Sequence, residues 1–201
     1  MSVLPLRDRR AERTAATRRE ILDAAWEQVR ADGLASLVMR DLGARVGMRA
    51  QSLYGYFPSK HAIYDAMFAE SNHELLRRLA SLAGRNTPER EVREGARVFL
   101  EFCVEDPVRY QLLYQRTIPR FEPSPEAFAP AVEVLEGARS ALQACGVTDD
   151  SAVDAWTAVI QGLAAQQDAN EPGGDRWTRL VDEITDMYLE HYVPKGKRKK
   201  P

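Results

Sequence analysis

Apolar residues recur at intervals of three and four along almost the whole chain, and no alternation of period two runs longer than a few residues. The first spacing lines one face of a helix, whereas the second belongs to half-buried strands. The chain is therefore expected to be all-α. The clearest early segment places Ile21, Leu22, Ala25, Trp26 and Val29 on one face, with Gly33 as its stop.

Breaks in the pattern divide the chain into about nine helices. One starts near Thr14. Two short ones follow, over 40–46 and 50–57, separated by a turn at Gly47 and Met48 and closed by Pro58 and Ser59. Ser59 is placed to cap a long fourth helix, which Ile63, Met67, Phe68, Leu75, Leu76, Leu79 and Leu82 carry to Gly84. Further helices are expected at 88–104, 106–117, 125–145, 149–169 and 175–191. The segment PRFEPSPEAF has three prolines and reads as a connection, either an ordered surface segment or a mobile loop. Residues 1–13 read as a flexible basic arm, 14–60 as one small domain, 61–193 as a larger helical bundle domain, and 194–201 as a disordered basic tail.

The net charge of −2 hides a polarity. Residues 1–60 carry 11 Lys or Arg against 7 Asp or Glu, whereas residues 61–193 carry 12 against 23. A basic head on an acidic body can lay one end on a polyanion while the other is repelled. No apolar run approaches the roughly 18 residues of a membrane span, and the start turns charged too soon for a signal peptide, so the cytoplasm is the expected location. Cys103 and Cys145 stand apart with no His beside them, which leaves a disulfide or zinc site nothing to build on; no metal or cofactor is expected. His61, His73 and His191 read as solvated surface, and no HExxH or ExxH spacing supports an enzyme.

Two short helices around a glycine-containing turn form a helix-turn-helix, whose second helix lies in the major groove. The runs REILDAAWEQVRADG and MRDLGARVGMRAQSLYGYFPSKHAI closely resemble the N-terminal domain of TetR-family regulators. The resemblance implies a three-helix DNA-binding head, a helical body that dimerises and senses a small molecule, and repression of an inverted-repeat operator. An activator or an architectural DNA binder on the same fold is the alternative. Leu42, Val46, Met48, Leu53 and Phe57, with Ile21 and Ala25, read as the packing of the head.

The candidate DNA-binding residues are Arg40, Arg49, Ala50, Gln51, Ser52, Tyr54, Tyr56 and Lys60. Gln51 can pair with adenine and Arg40 or Arg49 with guanine. The resemblance gives Tyr54 and Lys60 to phosphates. The arm with Arg7, Arg9, Arg10, Arg13, Arg18 and Arg19 can add phosphate or minor-groove contacts, or merely solubilise. Val38 and Arg49 depart from the family pattern, standing where polar caps are usual, and Gly55 replaces a His or aromatic.

Phe99, Phe102, Tyr110, Leu113, Tyr114, Ile118, Phe121, Phe128, Trp156 and Gln161 are candidates to line a mostly apolar ligand cavity; aromatics at helical spacing also serve as ordinary core. Two recognition helices must sit about 34 to 36 Å apart on a two-fold operator, so a homodimer is expected. By the family resemblance its interface uses the last two helices, with Trp156, Val159, Ile160 and Leu163, then Trp177, Leu180, Val181, Ile184, Met187 and Tyr188.

Overall fold

A computed structural model describes residues 9–82, 84 and 87–194. Among the described residues there are nine α-helices, two short 3-10 turns and no strand. The fold is all-α, as expected.

Helix α1 spans Arg9–Asp32 and begins earlier than Thr14, so Arg9 to Arg13 are helical where an arm was expected. The run RRAERTAA contains only good or tolerable helix formers, and nothing in it stops the first turn. Residues 1–8 and 195–201 lie outside the described residues, with most of the expected arm and tail. Gly33 closes α1 at φ 83°, its N–H donating to the Val29 carbonyl at 2.8 Å. Helices α2 (Met39–Arg45), α3 (Ala50–Leu53) and α4 (Lys60–Ala80) complete the head. Ile21, Ala25, Val29, Leu42, Leu53, Ile63 and Met67 form its solvent-free centre. The buried Tyr64 hydroxyl donates to the Leu34 carbonyl, tying α4 to the turn after α1.

Helices α5 (Pro88–Glu105), α6 (Pro107–Tyr114) and α7 (Pro125–Cys145) open with one device. The side chains of Thr87, Asp106 and Ser124 accept the N–H of Arg90, Arg109 and Ala127 at 3.4, 3.1 and 3.1 Å. A proline follows each cap, where a missing N–H costs nothing and φ is already helical. Helix α8 spans Asp150–Asn170, and α9, Val181–Tyr192, starts later than expected. Before it, the Gln167 side-chain carbonyl accepts the Trp177 and Thr178 N–H groups, and Thr178–Leu180 form a 3-10 turn.

The body core gathers Leu100, Cys103 and Tyr110 from α5 and α6, Leu142 from α7, Val153, Trp156 and Ile160 from α8, and Val181, Tyr188 and Leu189 from α9. Arg97 pairs with Asp182 and Arg93 with Asp186, pinning α9 to α5. The head core runs past residue 60: Leu112 of α6 and Ile118 pack into it with Ile63, Tyr64 and Met67 of α4. Asp65 accepts the Ser124 N–H at 2.7 Å and its hydroxyl at 2.8 Å, and Arg30 meets Asp106 at 2.7 Å.

Candidate nucleic-acid interface and ligand cavity

Two glycines set the angle between α2 and α3. A side chain on the buried Gly43 would place its Cβ 2.8 Å from the Met48 carbonyl oxygen and 3.3 Å from the Ala50 nitrogen. Only a bare backbone lets the turn cross α2 that closely. The Met48 N–H donates to the Gly43 carbonyl at 2.8 Å, and Gly47 takes the left-handed φ of 67° that reverses the chain. Leu42, Val46, Met48, Leu53 and Phe57 pack with Ile21 and Ala25, as their spacing predicts.

Helix α3 is one turn long and does not reach Phe57. After Leu53 the chain tightens, with Gly55 N–H on Ser52 at 3.2 Å and Tyr56 N–H on Leu53 at 2.9 Å. Gly55 weakens helix continuation and Pro58 disfavours it for the residue before. Neither Val38 nor Arg49 caps with its side chain, although each precedes its helix.

Leu53 faces the core, and Gln51, Ser52 and Tyr54 face solvent, Tyr54 with half its surface exposed. Arg40, Arg49 and Lys60 are exposed too, whereas Ala50 and Tyr56 are half-buried. Lys60 opens α4 beside Ser59, whose hydroxyl accepts the Ala62 N–H at 3.1 Å as expected. The Tyr56 carbonyl is engaged by Arg18, whose guanidinium also lies 4.1 Å from the centre of the Phe57 ring. Arg19 pairs with Asp23 and Glu70, interactions that keep its guanidinium more firmly protonated than usual. Arg18 and Arg19 are both exposed and through these contacts also tie α1 to the rest of the head. Arg9 and Arg13 are exposed on the first turns of α1, and Arg7 lies outside the described residues.

The body holds a cavity of about 550 Å³ walled by α4 to α8. Of the ligand-site candidates, Phe99, Leu113, Tyr114, Phe128, Trp156 and Gln161 line it. Four candidates do not. Phe102 is wholly buried beneath the Arg109 guanidinium, 3.7 Å from its ring centre, and Tyr110 lies in the body core. Ile118 belongs to the head core, and Phe121 packs edge-on to His61 at 5.9 Å and against Tyr64 at 5.6 Å. That contact makes His61 half-buried, not solvated surface.

Sequence reasoning missed the cavity walls given by Phe68, Asn72, Leu76 and Leu79 of α4 and by Ala131, Val134 and Ala138 of α7. The small residues of α7 leave the space, and Phe68 stacks on Phe128 at 6.1 Å. Burial pushes the Tyr114 and Cys103 protons well above their ordinary ranges, so both groups stay neutral.

The outer helices also depart from expectation. Trp156, Ile160, Leu163, Val181 and Tyr188 turn into the body core, so most of the expected interface stripe packs on its own chain. Trp177, Leu180 and Ile184 are half-buried, leaving Val159 and Met187 as the exposed large apolar residues of α8 and α9. On the same outer side α8 presents the exposed Ala158 and Ala169 and the half-buried Gly162, whereas Ala155 and Ala165 are half-buried against the body core.

Among the described residues no group of three His, Cys, Asp or Glu is placed to hold a metal ion. No helix among them is long and apolar enough to cross a membrane.

A glycine-locked helix pair with an exposed second helix, joined to a hollow helical body, is a helix-turn-helix head on an all-helical body. Residues 21–67 match the family model of bacterial regulatory proteins, tetR family. The chain carries a TetR-family head on a TetR-type fold. A protein of unknown function from Rhodococcus sp. RHA1 is similar over 88% of this chain and 95% of its own, at 16% identity and TM-score 0.73. The TetR-family transcriptional regulator PfmR from Thermus thermophilus is similar over 85% and 97%, at 17% identity and TM-score 0.65. The transcriptional regulator FadR from Bacillus subtilis, solved with stearoyl-CoA, is similar over 85% and 97%, at 15% identity and TM-score 0.65. No curated protein matches the chain in sequence.

Proposed function

We propose that the protein is a dimeric DNA-binding transcriptional regulator in the cytoplasm, a repressor that leaves an inverted-repeat operator when a small molecule fills the cavity. The observation that carries this reading is the head itself: Gly43 and Gly47 lock a helix pair whose second member turns Gln51, Ser52 and Tyr54 to solvent. Gln51 pairs with adenine, and Arg40 or Arg49 with guanine. Tyr54 and Lys60 hold phosphates and give affinity more than specificity. The chemistry is binding, not catalysis.

The dimer forms through the outer faces of α8 and α9. Small side chains on α8 let two helices approach closely, and Val159 and Met187 supply apolar area to bury.

Release runs through α6 and α4. Leu112 of α6 is in the head core while its neighbours Leu113 and Tyr114 line the cavity, and Asp106 at its cap holds Arg30 of α1. Helix α4 likewise has Ile63 and Met67 in the head and Phe68 and Asn72 at the cavity. A ligand that favours the released arrangement by about 1.4 kcal/mol weakens operator binding tenfold. That a protein of similar fold was solved with stearoyl-CoA supports a ligand-taking body.

The test is a mobility-shift assay with the DNA upstream of the protein's own gene. A retarded complex whose affinity falls steeply with salt is expected. Failure to retard any promoter fragment at low salt would refute the reading.

A further inference from the structure

We infer that the cavity takes a lipophilic cation, a molecule with an apolar body and an ammonium or comparable positive group. The inference rests on reading the cavity as the ligand site, and three observations carry it.

The first is the set of charges. Among the described residues that line the cavity there is no Lys, Arg or His; the only carboxyl groups are those of Glu91 on α5 and Glu133 on α7. Neither is in an ion pair among the described residues, although arginines are abundant on the helices around them. Arg78 pairs with Glu74 and Glu105, Arg90 with Glu94, Arg93 with Asp186, Arg97 with Asp182 and Arg139 with Asp150. These cations are taken up by other carboxylates, and none of them neutralises the cavity pair. One oxygen of Glu91 accepts the Gly84 N–H at 2.8 Å, which fixes the group at the far end of α4 from the head. Glu91 is half-buried and Glu133 is exposed, so an anionic head group would lie beside two carboxylates, with no cation among the described lining residues to receive it.

The second is the character of the walls. Phe68, Phe99, Tyr114, Phe128 and Trp156 all line the cavity. Aromatic faces carry negative charge and attract cations, and rings grouped around a space are the usual recognition device for quaternary ammonium groups. The third is the field of the body as a whole: residues 61–193 carry 23 acidic side chains against 12 basic ones. Such an excess concentrates cations near the rim and repels anions. The same logic argues against an acyl thioester with phosphate groups, whatever the fold accommodates elsewhere.

The experiment compares three probes with one hydrocarbon chain, decyltrimethylammonium, 1-decanol and decanoate, titrated into the full-length protein by calorimetry below their micelle concentrations. Decyltrimethylammonium is expected to bind about tenfold or more tightly than decanoate, with decanol between, and the spread is expected to narrow in high salt. Replacing both carboxylates, Glu91→Gln with Glu133→Gln, is expected to lower the ammonium affinity about threefold or more and to leave decanol unchanged. Glutamine can still accept the Gly84 N–H, so the fold is retained. Decanoate binding as tightly as the ammonium, or an ammonium affinity unmoved by the double substitution, overturns the charge inference while the cavity stands as a ligand site. Binding of none of the three overturns both.

Discussion

Gly43 and Gly47 are needed for different reasons, and substitution separates them. Alanine at 43 drives a Cβ into the Met48 carbonyl, which can move only by opening the turn. Gly43→Ala is expected to cost about 1 to 3 kcal/mol, as overpacking does, and to lower DNA affinity with it. Alanine at 47 meets no neighbour within 4 Å but must hold φ 67°, a strain of about 1 to 2 kcal/mol. Thermal melts of the two variants check the order. On the outer side, Gln51→Ala is expected to relax sequence preference, whereas Lys60→Ala weakens all sequences alike and reduces the salt slope by about one. Binding titrations on matched operator variants distinguish the two, and equal, uniform losses would sink the division of roles. Burial pushes the Cys145 thiol up to about 11 from an ordinary value of 9.0. The unfolded chain ionises first, so this contribution is intact below pH 9 and is lost as pH rises toward 11. A urea midpoint that falls between about pH 9 and 11 is the expected sign. Residue roles were legible where local sequence sets them, as with the Gly47 turn and the Ser59 cap. They were not legible for Arg18, Arg19 and Phe121, whose partners arrive from distant parts of the chain.

At the scale of elements, cap and proline pairs told the starts of α5, α6 and α7 within a residue or two, because the stop of one helix and the start of the next are local chemistry. The length of α3 was overestimated because a glycine and a following proline jointly turn the chain before Phe57. The walls of the cavity were half legible for another reason. Periodicity reports which face of α4 or α7 is apolar but not whether that face meets side chains or a void. Helix α6 offers the sharpest test. Asp106 both caps it, through the Arg109 N–H, and holds Arg30 of α1. Asp106→Asn keeps an acceptor for the cap and removes the charge pair, so a loss of about 0.2 to 1 kcal/mol is expected. Asp106→Ala removes both and is expected to cost about 1 kcal/mol more. Denaturant melts give the two values, and Arg30→Ala in each background shows whether the pair accounts for the smaller one.

At the scale of the molecule, the outward face of α8 is the feature on which the proposed dimer depends. Ala158 is exposed, so Ala158→Arg is expected to leave the chain folded and to convert a dimer into a monomer with weakened operator binding. Sedimentation velocity with circular dichroism checks both halves of that statement; a dimer that survives the arginine moves the interface elsewhere. The charge polarity adds direction: the acidic body is pushed from DNA while the head is drawn to it, which limits unproductive encounters.

Leu112 and Ile118 come from beyond the motif, yet the head has no closed core without them. A fragment ending at the long linking helix would expose the side of Ile63 and Met67 that these residues cover, and a short helical head has little apolar area to spare. The head is thus not a module that can be cut away and transplanted intact. Any chimera that keeps this reading surface must also import the α6 region, and with it the wall that the cavity presses on.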